Sequence, residues 1–217
     1  MLKNLCVHAY GLVNFVLATL FVVSKIGCGS AIQDLTKVNY ETIFFLQFNQ
    51  KWLDTQLSET KGNHIFTYTH EPAFKLDHTD CLQGNSCPTM QINYSKSRNR
   101  FWKSLRDAGA RVYFCGHDHG YAHVVVKDGD GNPDNDIHQF SLGTAGAGKN
   151  LKPVLNGYNA PYTPMLIKCD NSYGYMVVEV KGANVDLTWK RMNDKTGKFE
   201  IGERFSYSLK SEKYAEL

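Results

Sequence analysis

The chain has 217 residues, 42% of them hydrophobic and 21% charged, and its 24 Lys and Arg against 21 Asp and Glu leave a formal net charge of +3. This is ordinary composition for one globular domain with a sizeable core, and it excludes a disordered tail, a collagen-like repeat and a multi-span membrane protein. So small a positive excess gives no electrostatic reason to expect nucleic acid as a partner.

Residues 1–31 differ from the rest. Lys3 is the only charge before an apolar run from Leu12 to Val23, and small residues follow in Gly27-Cys28-Gly29-Ser30-Ala31. This is the layout of a secretory signal, with cleavage after Ala31 placing Gly29 and Ala31 at the small-residue positions. The run is short for a membrane span of about 20 residues. The expectation is a secreted or periplasmic protein, anchored to a membrane through residues 5–23 only if the segment is retained. Residues 32–48 read as an irregular linker.

Helical spacing of Trp52, Leu53 and Leu57 predicts a helix over Asn49–Thr60, with Gly62 as its stop. Ile65–Tyr68 is a short β-branched and aromatic run, read as a strand, and it ends at Thr69-His70-Glu71-Pro72. The polar stretch Lys75–Asn93 has the character of a long loop. A second helix is expected over Arg98–Ala108, with Phe101, Trp102 and Leu105 on its apolar side and Gly109 as its stop. The strand Arg111–Cys115 then ends at Gly116-His117-Asp118-His119. Two strands joined through a helix favour a parallel pair with a right-handed crossover.

The remainder reads as β. Tyr121–Lys127 and Ile137–Leu142 flank an acidic turn over residues 128–136, and Tyr175–Val180 and Val185–Lys190 form a hairpin. Arg204–Leu209 is the last expected strand, and residues 210–217 form a tail. Aromatic residues, at 12% of the chain, suit a β-rich core. Cys81 and Cys87 bracket the polar loop CLQGNSC and could close a small ring in an oxidising compartment, whereas Cys115 ends an apolar stretch and reads as a buried thiol.

Three short patterns suggest ligands. Asp128, Asp130, Asn132, Asp134 and Asp136 alternate like a calcium loop, but that loop wants Gly sixth and Glu twelfth, where this chain has Pro133 and Gln139. A solvated hairpin tip is the better reading. The glycine-rich Gly143–Gly148 is not followed by the Lys-Ser/Thr of a nucleotide loop, so it reads as a structural turn. The third pattern carries the chemistry. His70 follows one strand, and His117 and His119 follow the next. If the two strands are parallel neighbours, all three imidazoles emerge at one carboxyl edge, where open α/β sheets place their sites. Neutral imidazole is the commonest metal ligand.

The stretch from about Gln50 onward resembles the C-terminal half of calcineurin-like metallophosphoesterases, especially the bacterial secreted and purple-acid-phosphatase-like branch. The resemblance is carried by Gln50-Lys51-Trp52-Leu53, Thr67-Tyr68-Thr69-His70-Glu71-Pro72, Gly116-His117-Asp118-His119-Gly120-Tyr121, Ser141-Leu142-Gly143-Thr144-Ala145-Gly146 and Tyr173-Gly174-Tyr175. It implies an α/β (α+β) fold, a β-sandwich flanked by helices, of which residues 49–209 are the C-terminal half. It implies a hydrolase acting on a small phosphoester with two divalent or trivalent metal ions, Fe, Mn or Zn. His70 and His117 would bind one metal and His119 the other, and His123 would contact the substrate phosphate. The family's earlier motifs, Asp-x-His, Gly-Asp-x-x-Asp and Gly-Asn-His-Glu/Asp, have no counterpart before Gln50. Gly62-Asn63-His64 and Asp136-Ile137-His138 match pieces of them by letters but at the wrong places in the order. The alternative expectation is therefore a non-catalytic remnant that binds metal weakly or not at all.

Overall fold

Val112, Tyr113, Phe114 and Cys115 are consecutive, apolar and all buried. A strand can do this only when both of its faces are covered, because successive side chains point to opposite sides. A computed structural model shows what covers them; it describes residues 4–7, 21–22, 50–59, 64–70, 72–77, 91–146, 148, 150–155, 158 and 160–209.

In chain order the elements are β1 (Asn4–Val7), β2 (Phe21–Val22), α1 (Gln50–Glu59), β3 (Phe66–Tyr68), α2 (Gln91–Asp107), β4 (Val112–Cys115), β5 (Tyr121–Lys127), β6 (Ile137–Leu142), β7 (Thr163–Asp170), β8 (Gly174–Lys181), β9 (Asn184–Met192) and β10 (Phe199–Ser208). They form a six-stranded sheet, order β2-β3-β4-β6-β5-β7, and a four-stranded sheet, order β1-β8-β9-β10. The expected parallel pairing of β3 with β4 is present, and β4 is also parallel to β6. One face of the six-stranded sheet packs on the helices through Tyr113, Cys115, Val124 and Val126 against Leu53, Leu57, Trp102 and Leu105. The other packs on the four-stranded sheet through Val112, Phe114, Tyr121 and Phe140 against Met176, Val178, Leu187 and Trp189. The fold is thus of mixed α/β type, a two-sheet sandwich with helices on one side.

Pieces of the segment read as an export signal form edge strands: β1 pairs with β8, and β2 with β3. The rest of that segment, Cys81 and Cys87, and residues 210–217 lie outside the described residues. Helix α1 falls where its apolar spacing places it, with Leu53 and Leu57 buried. Helix α2 stops as expected. Gly109 takes φ 86°, and the bonds Gly109 N–H to Arg106 O and Ala110 N–H to Leu105 O close the helix end with a left-handed residue.

Besides the edge strands β1 and β2, three elements depart from expectation, the simplest being β10, which begins at Phe199, five residues before the expected Arg204. Helix α2 begins at Gln91, seven residues before the expected Arg98, because its first two turns, QINYSKS, carry almost no apolar signal. Strand β7 was not expected at all. Its sequence follows Pro161, includes Pro164, and leaves Met165, Leu166 and Ile167 exposed, so it shows no inside–outside alternation. It is an edge strand, the place in a sheet that tolerates proline.

Strand β10 is bent by a bulge between Ile201 and Glu203. Before the bulge, Phe199 and Ile201 face solvent; after it, Glu203, Phe205 and Tyr207 turn toward the other sheet. The odd-numbered positions change face across one extra residue, the signature of a bulge. Gly202 lies so close to Trp189 that a Cβ there would sit 2.3 Å from the indole Cε3. Trp189 is itself fully buried and stacked on Tyr121, with centroids 3.9 Å apart. Gly202→Ala is expected to cost about 1–3 kcal/mol by overpacking. Urea unfolding measures this, and an unchanged midpoint would mean that the contact is not what shapes the bulge.

Candidate metal site

The β3–β4 pairing runs past the ends of both strands. Thr69 N–H donates to Phe114 O at 3.0 Å, and Gly116 N–H to His70 O at 3.0 Å. The next residue on each chain segment is brought to the same edge. His70 Nε2 lies 3.2 Å from His117 Nδ1, and the ring centroids are 5.1 Å apart although the residues are 47 positions apart in sequence. His117 has φ 61°, and among the described residues it is the only non-glycine residue with positive φ. Histidine is among the residue types that tolerate this region, and backbone outliers of this kind cluster at functional sites. His119 is exposed two residues further along the same turn.

Buried polar side chains hold the two histidine-bearing segments against each other. Asp118, between the two histidines, points inward and is fully buried; its Oδ2 accepts Leu76 N–H at 3.1 Å. Gln139 on β6, also fully buried, accepts Phe74 N–H at 3.0 Å through Oε1 and donates to Phe74 O at 2.7 Å through Nε2. The segment Pro72–Asp77 after His70 is therefore tied at Phe74 and Leu76, with Ala73, Phe74 and Leu76 buried under α2. It is an apolar tether where the sequence suggested the start of a polar loop. The glycine-rich turn is structural, as expected. A Cβ on Gly143 would meet Asp118 O at 2.1 Å, so only glycine lets this turn approach the histidine turn.

Two nitrogens bound to one tetrahedral ion at about 2.0–2.1 Å lie roughly 3.3 Å apart. The spacing of the His70 and His117 nitrogens fits that demand. Among the described residues, however, no three His, Cys, Asp or Glu side chains gather as a set that could hold an ion. Glu71 lies outside the described residues.

His123 is elsewhere. It faces the four-stranded sheet and is 2% exposed. Its Nδ1 is 2.7 Å from Glu203 Oε1 and its Nε2 2.7 Å from His138 Nδ1, while the ring stacks on Phe140. Neither nitrogen is left for a phosphate oxygen, so the expected substrate contact is not seen here. Sequence reading missed this because the group that meets His123, Glu203, is 80 residues away. Tyr121 donates its hydroxyl to Glu203 Oε2 at 2.8 Å.

The acidic turn is closed by arginines. Arg106 pairs with Asp128 at 2.5 Å and with Asp130 at 2.6 Å, and Arg111 donates to the carbonyls of Pro133, Asp134 and Asp136. A hydrogen bond from Asn135, with further ones from the turn backbone and Arg106, holds the Asp130 carboxyl down at about 2. Cys115 is a buried thiol, as expected, with Sγ 3.3 Å from Ser141 Oγ.

No protein-family model matches the chain, and no curated protein matches it. Solved structures do. The chain is similar to GAP50, the anchor in the inner membrane complex of Plasmodium, at 17% identity and a TM-score of 0.51, over 82% of this chain and 47% of that one. It is also similar to the purple acid phosphatase PPD1 from yellow lupin seeds, at 13% identity and a TM-score of 0.53, over 75% of this chain and 28% of that one. The fold resembles a phosphatase fold, and the chain spans less than half the length of either structure.

Two predictions follow the buried polar groups. Gln139→Ala leaves both backbone groups of Phe74 without a partner in a dry layer, at a cost of about 1–3 kcal/mol each at most; hydrogen exchange at Phe74 should accelerate far more than at β9, and uniform acceleration would remove Gln139 from this role. The second concerns acid. Burial, the His123 ring and the Arg111 guanidinium push His138 down to about 3. Unfolded, it titrates near 6.5. Between these values the unfolded chain binds a proton that the folded chain refuses. The cost is nil above about pH 6.5 and grows as pH falls toward 3. Burial alone would raise Glu203, but bonds from His123 and Tyr121 outweigh it and hold the carboxyl below its ordinary value. Its stabilisation is likewise lost as pH falls. Unfolding free energy should drop by on the order of a few kcal/mol between pH 7 and 4, with a smaller drop in His138→Phe; equal slopes in the two proteins would contradict the assignment.

Proposed function

We propose that the chain is a metal-dependent phosphoesterase domain whose cation positions are held by His70 and His117 on one side and His119 on the other. The observation that carries this reading is the pair of imidazoles, 3.2 Å apart between nitrogens, at the carboxyl ends of two parallel strands in a phosphatase-like fold. The donor set suits Fe, Mn or Zn, and the substrate class is a small phosphoester. A bound cation would supply Lewis acidity toward phosphoryl oxygen and a water of lowered pKa. The chain's own residues supply position. His117 is turned toward His70 by its left-handed backbone, Asp118 anchors the turn from inside, and Gln139 fixes the segment that follows His70. Read as sequence, the layout of residues 1–31 supports export, but residues 4–7 and 21–22 pair into the two sheets, which a removed signal would not do; among the described residues no helix is long and apolar enough to cross a membrane.

A second reading, a domain that binds metal weakly without turnover, is favoured by the count of donors. Catalytic zinc sites use three protein ligands and an open position, and two imidazoles fall short of that. The family's bridging carboxylate has no counterpart in the chain before Gln50. Turnover by this 217-residue chain is therefore expected far below the ordinary ~10 s⁻¹. Calorimetric titration with Mn²⁺ and Zn²⁺, paired with hydrolysis of an aryl phosphate, tests both readings. Metal binding that His117→Ala abolishes supports the site. Ordinary turnover dependent on His117 would overturn the second reading, and wild-type protein that takes up neither metal would overturn the first.

A further inference from the structure

Glu203, His123 and His138 form a continuous hydrogen-bonded series between the two sheets, with both links at 2.7 Å. The series joins β10 of one sheet to β5 and β6 of the other. Its walls are the rings of Phe140 and Phe205, at centroid distances of 4.3 and 5.3 Å from His123. The direction of each bond follows from what each group can do. An ionised carboxylate only accepts, so His123 Nδ1 carries a proton and donates it to Glu203. A neutral imidazole then has a bare Nε2. The second link exists only if His138 donates to it from Nδ1–H.

We propose that this series is a proton chain in which His138 changes tautomer when His123 gains a proton. In the neutral state both rings carry their hydrogen on Nδ1. On acidification the Nδ1–H bond of His138 breaks, its proton forms a new bond at His123 Nε2, and a solvent proton bonds to His138 Nε2. One proton enters in total, no ring rotates, and both hydrogen bonds survive with the second reversed in direction. The positive charge settles on His123, against Glu203, and His138 stays neutral.

The surrounding charges favour that distribution. From β10, Glu203 faces His123 directly, and from β5 the Tyr121 hydroxyl holds the other carboxylate oxygen at 2.8 Å. From β7, Lys168 adds positive charge near Glu203, which keeps the carboxylate ionised. Burial opposes positive charge on His138, and Arg111, just before β4, acts in the same direction. The positive charge is therefore expelled from His138 and compensated at His123. The regular β5–β6 pairing sets His123 and His138 side by side on one face, and two irregularities flank the series. β10 bulges between Ile201 and Glu203, and the β5–β7 pairing shifts between His123 and Val124. β5 leaves directly from the His117–His119 turn, so the chain fixes the strand on which that turn is mounted.

The test is long-range ¹H–¹⁵N correlation of the histidine rings in the uniformly labelled full chain, between pH 8 and pH 5. At pH 8 the protonated nitrogen of His138 should be Nδ1. As pH falls, protonation should move to Nε2 in step with double protonation of His123, and His138 should never be doubly protonated. Glu203→Gln keeps the shape but removes the charge, and should move both changes to lower pH. His138 protonated on Nε2 at pH 8, a His138 proton that stays on one nitrogen throughout the range, or a doubly protonated His138 beside a neutral His123 would each overturn the proposal. The wild-type spectra decide it alone if the Glu203→Gln protein does not fold.

Discussion

Tyr113 and Phe114 point to opposite sides of one strand, and both sides are dry. The helices cover the first and the four-stranded sheet covers the second. With no face of the central strands open to water, a polar side chain there gains from a partner inside the protein, although the buried Thr67 hydroxyl on β3 has no hydrogen-bond partner. Gln139 and Ser141 on the helix side, and His123 on the sheet side, find one. This demand turns isolated polar residues of β5 and β6 into fixed connections.

The edge that carries the histidines is built from those connections. The strand ladder brings His70 and His117 to the same height, but nothing in a ladder keeps the following segments in place. Asp118 and Gln139 supply that restraint by capturing backbone groups of Leu76 and Phe74. Asn171 acts in the same way one layer outward, donating to Leu151 O and accepting Leu151 N–H. Each amide clamp satisfies one donor and one acceptor of a loop residue, which a single hydroxyl could do only with poorer geometry. Glycines at the points of closest approach complete the arrangement. A side chain at Gly120 would run into Leu151, as one at Gly143 would run into the backbone of Asp118.

The opposite face of the six-stranded sheet is governed by one bulge. Without the extra residue at Gly202, the inward parity of β10 before the bulge would carry past it, and Glu203 would face solvent. With it, the carboxylate lies between Tyr121 and His123 while Trp189 fills the space beside the bent backbone. A charged group is thereby retained inside an aromatic core because two donors meet it there. The aromatic residues around it, Phe140, Phe205 and Trp189, exclude water and so strengthen both bonds.

Short-range patterns in the sequence determined much of the frame. Apolar spacing placed α1 and the core of α2, β-branched and aromatic runs placed β3, β4, β5 and β6, and glycine marked the end of α2 at Gly109. The positions of His70 and His117 at the ends of neighbouring parallel strands were legible because a strand–helix–strand order constrains direction. The first turns of α2 and all of β7 were not legible, since polar helical turns and exposed edge strands carry no burial pattern to read. The fate of His123 was decided by tertiary structure alone. Its own segment shows only that it shares a face with Tyr121, and which group meets that face depends on a bulge 80 residues away. Periodicity reports which way a side chain points, because it is set by backbone geometry within one element. What the side chain meets there is set by the packing of distant elements, and no local pattern encodes it.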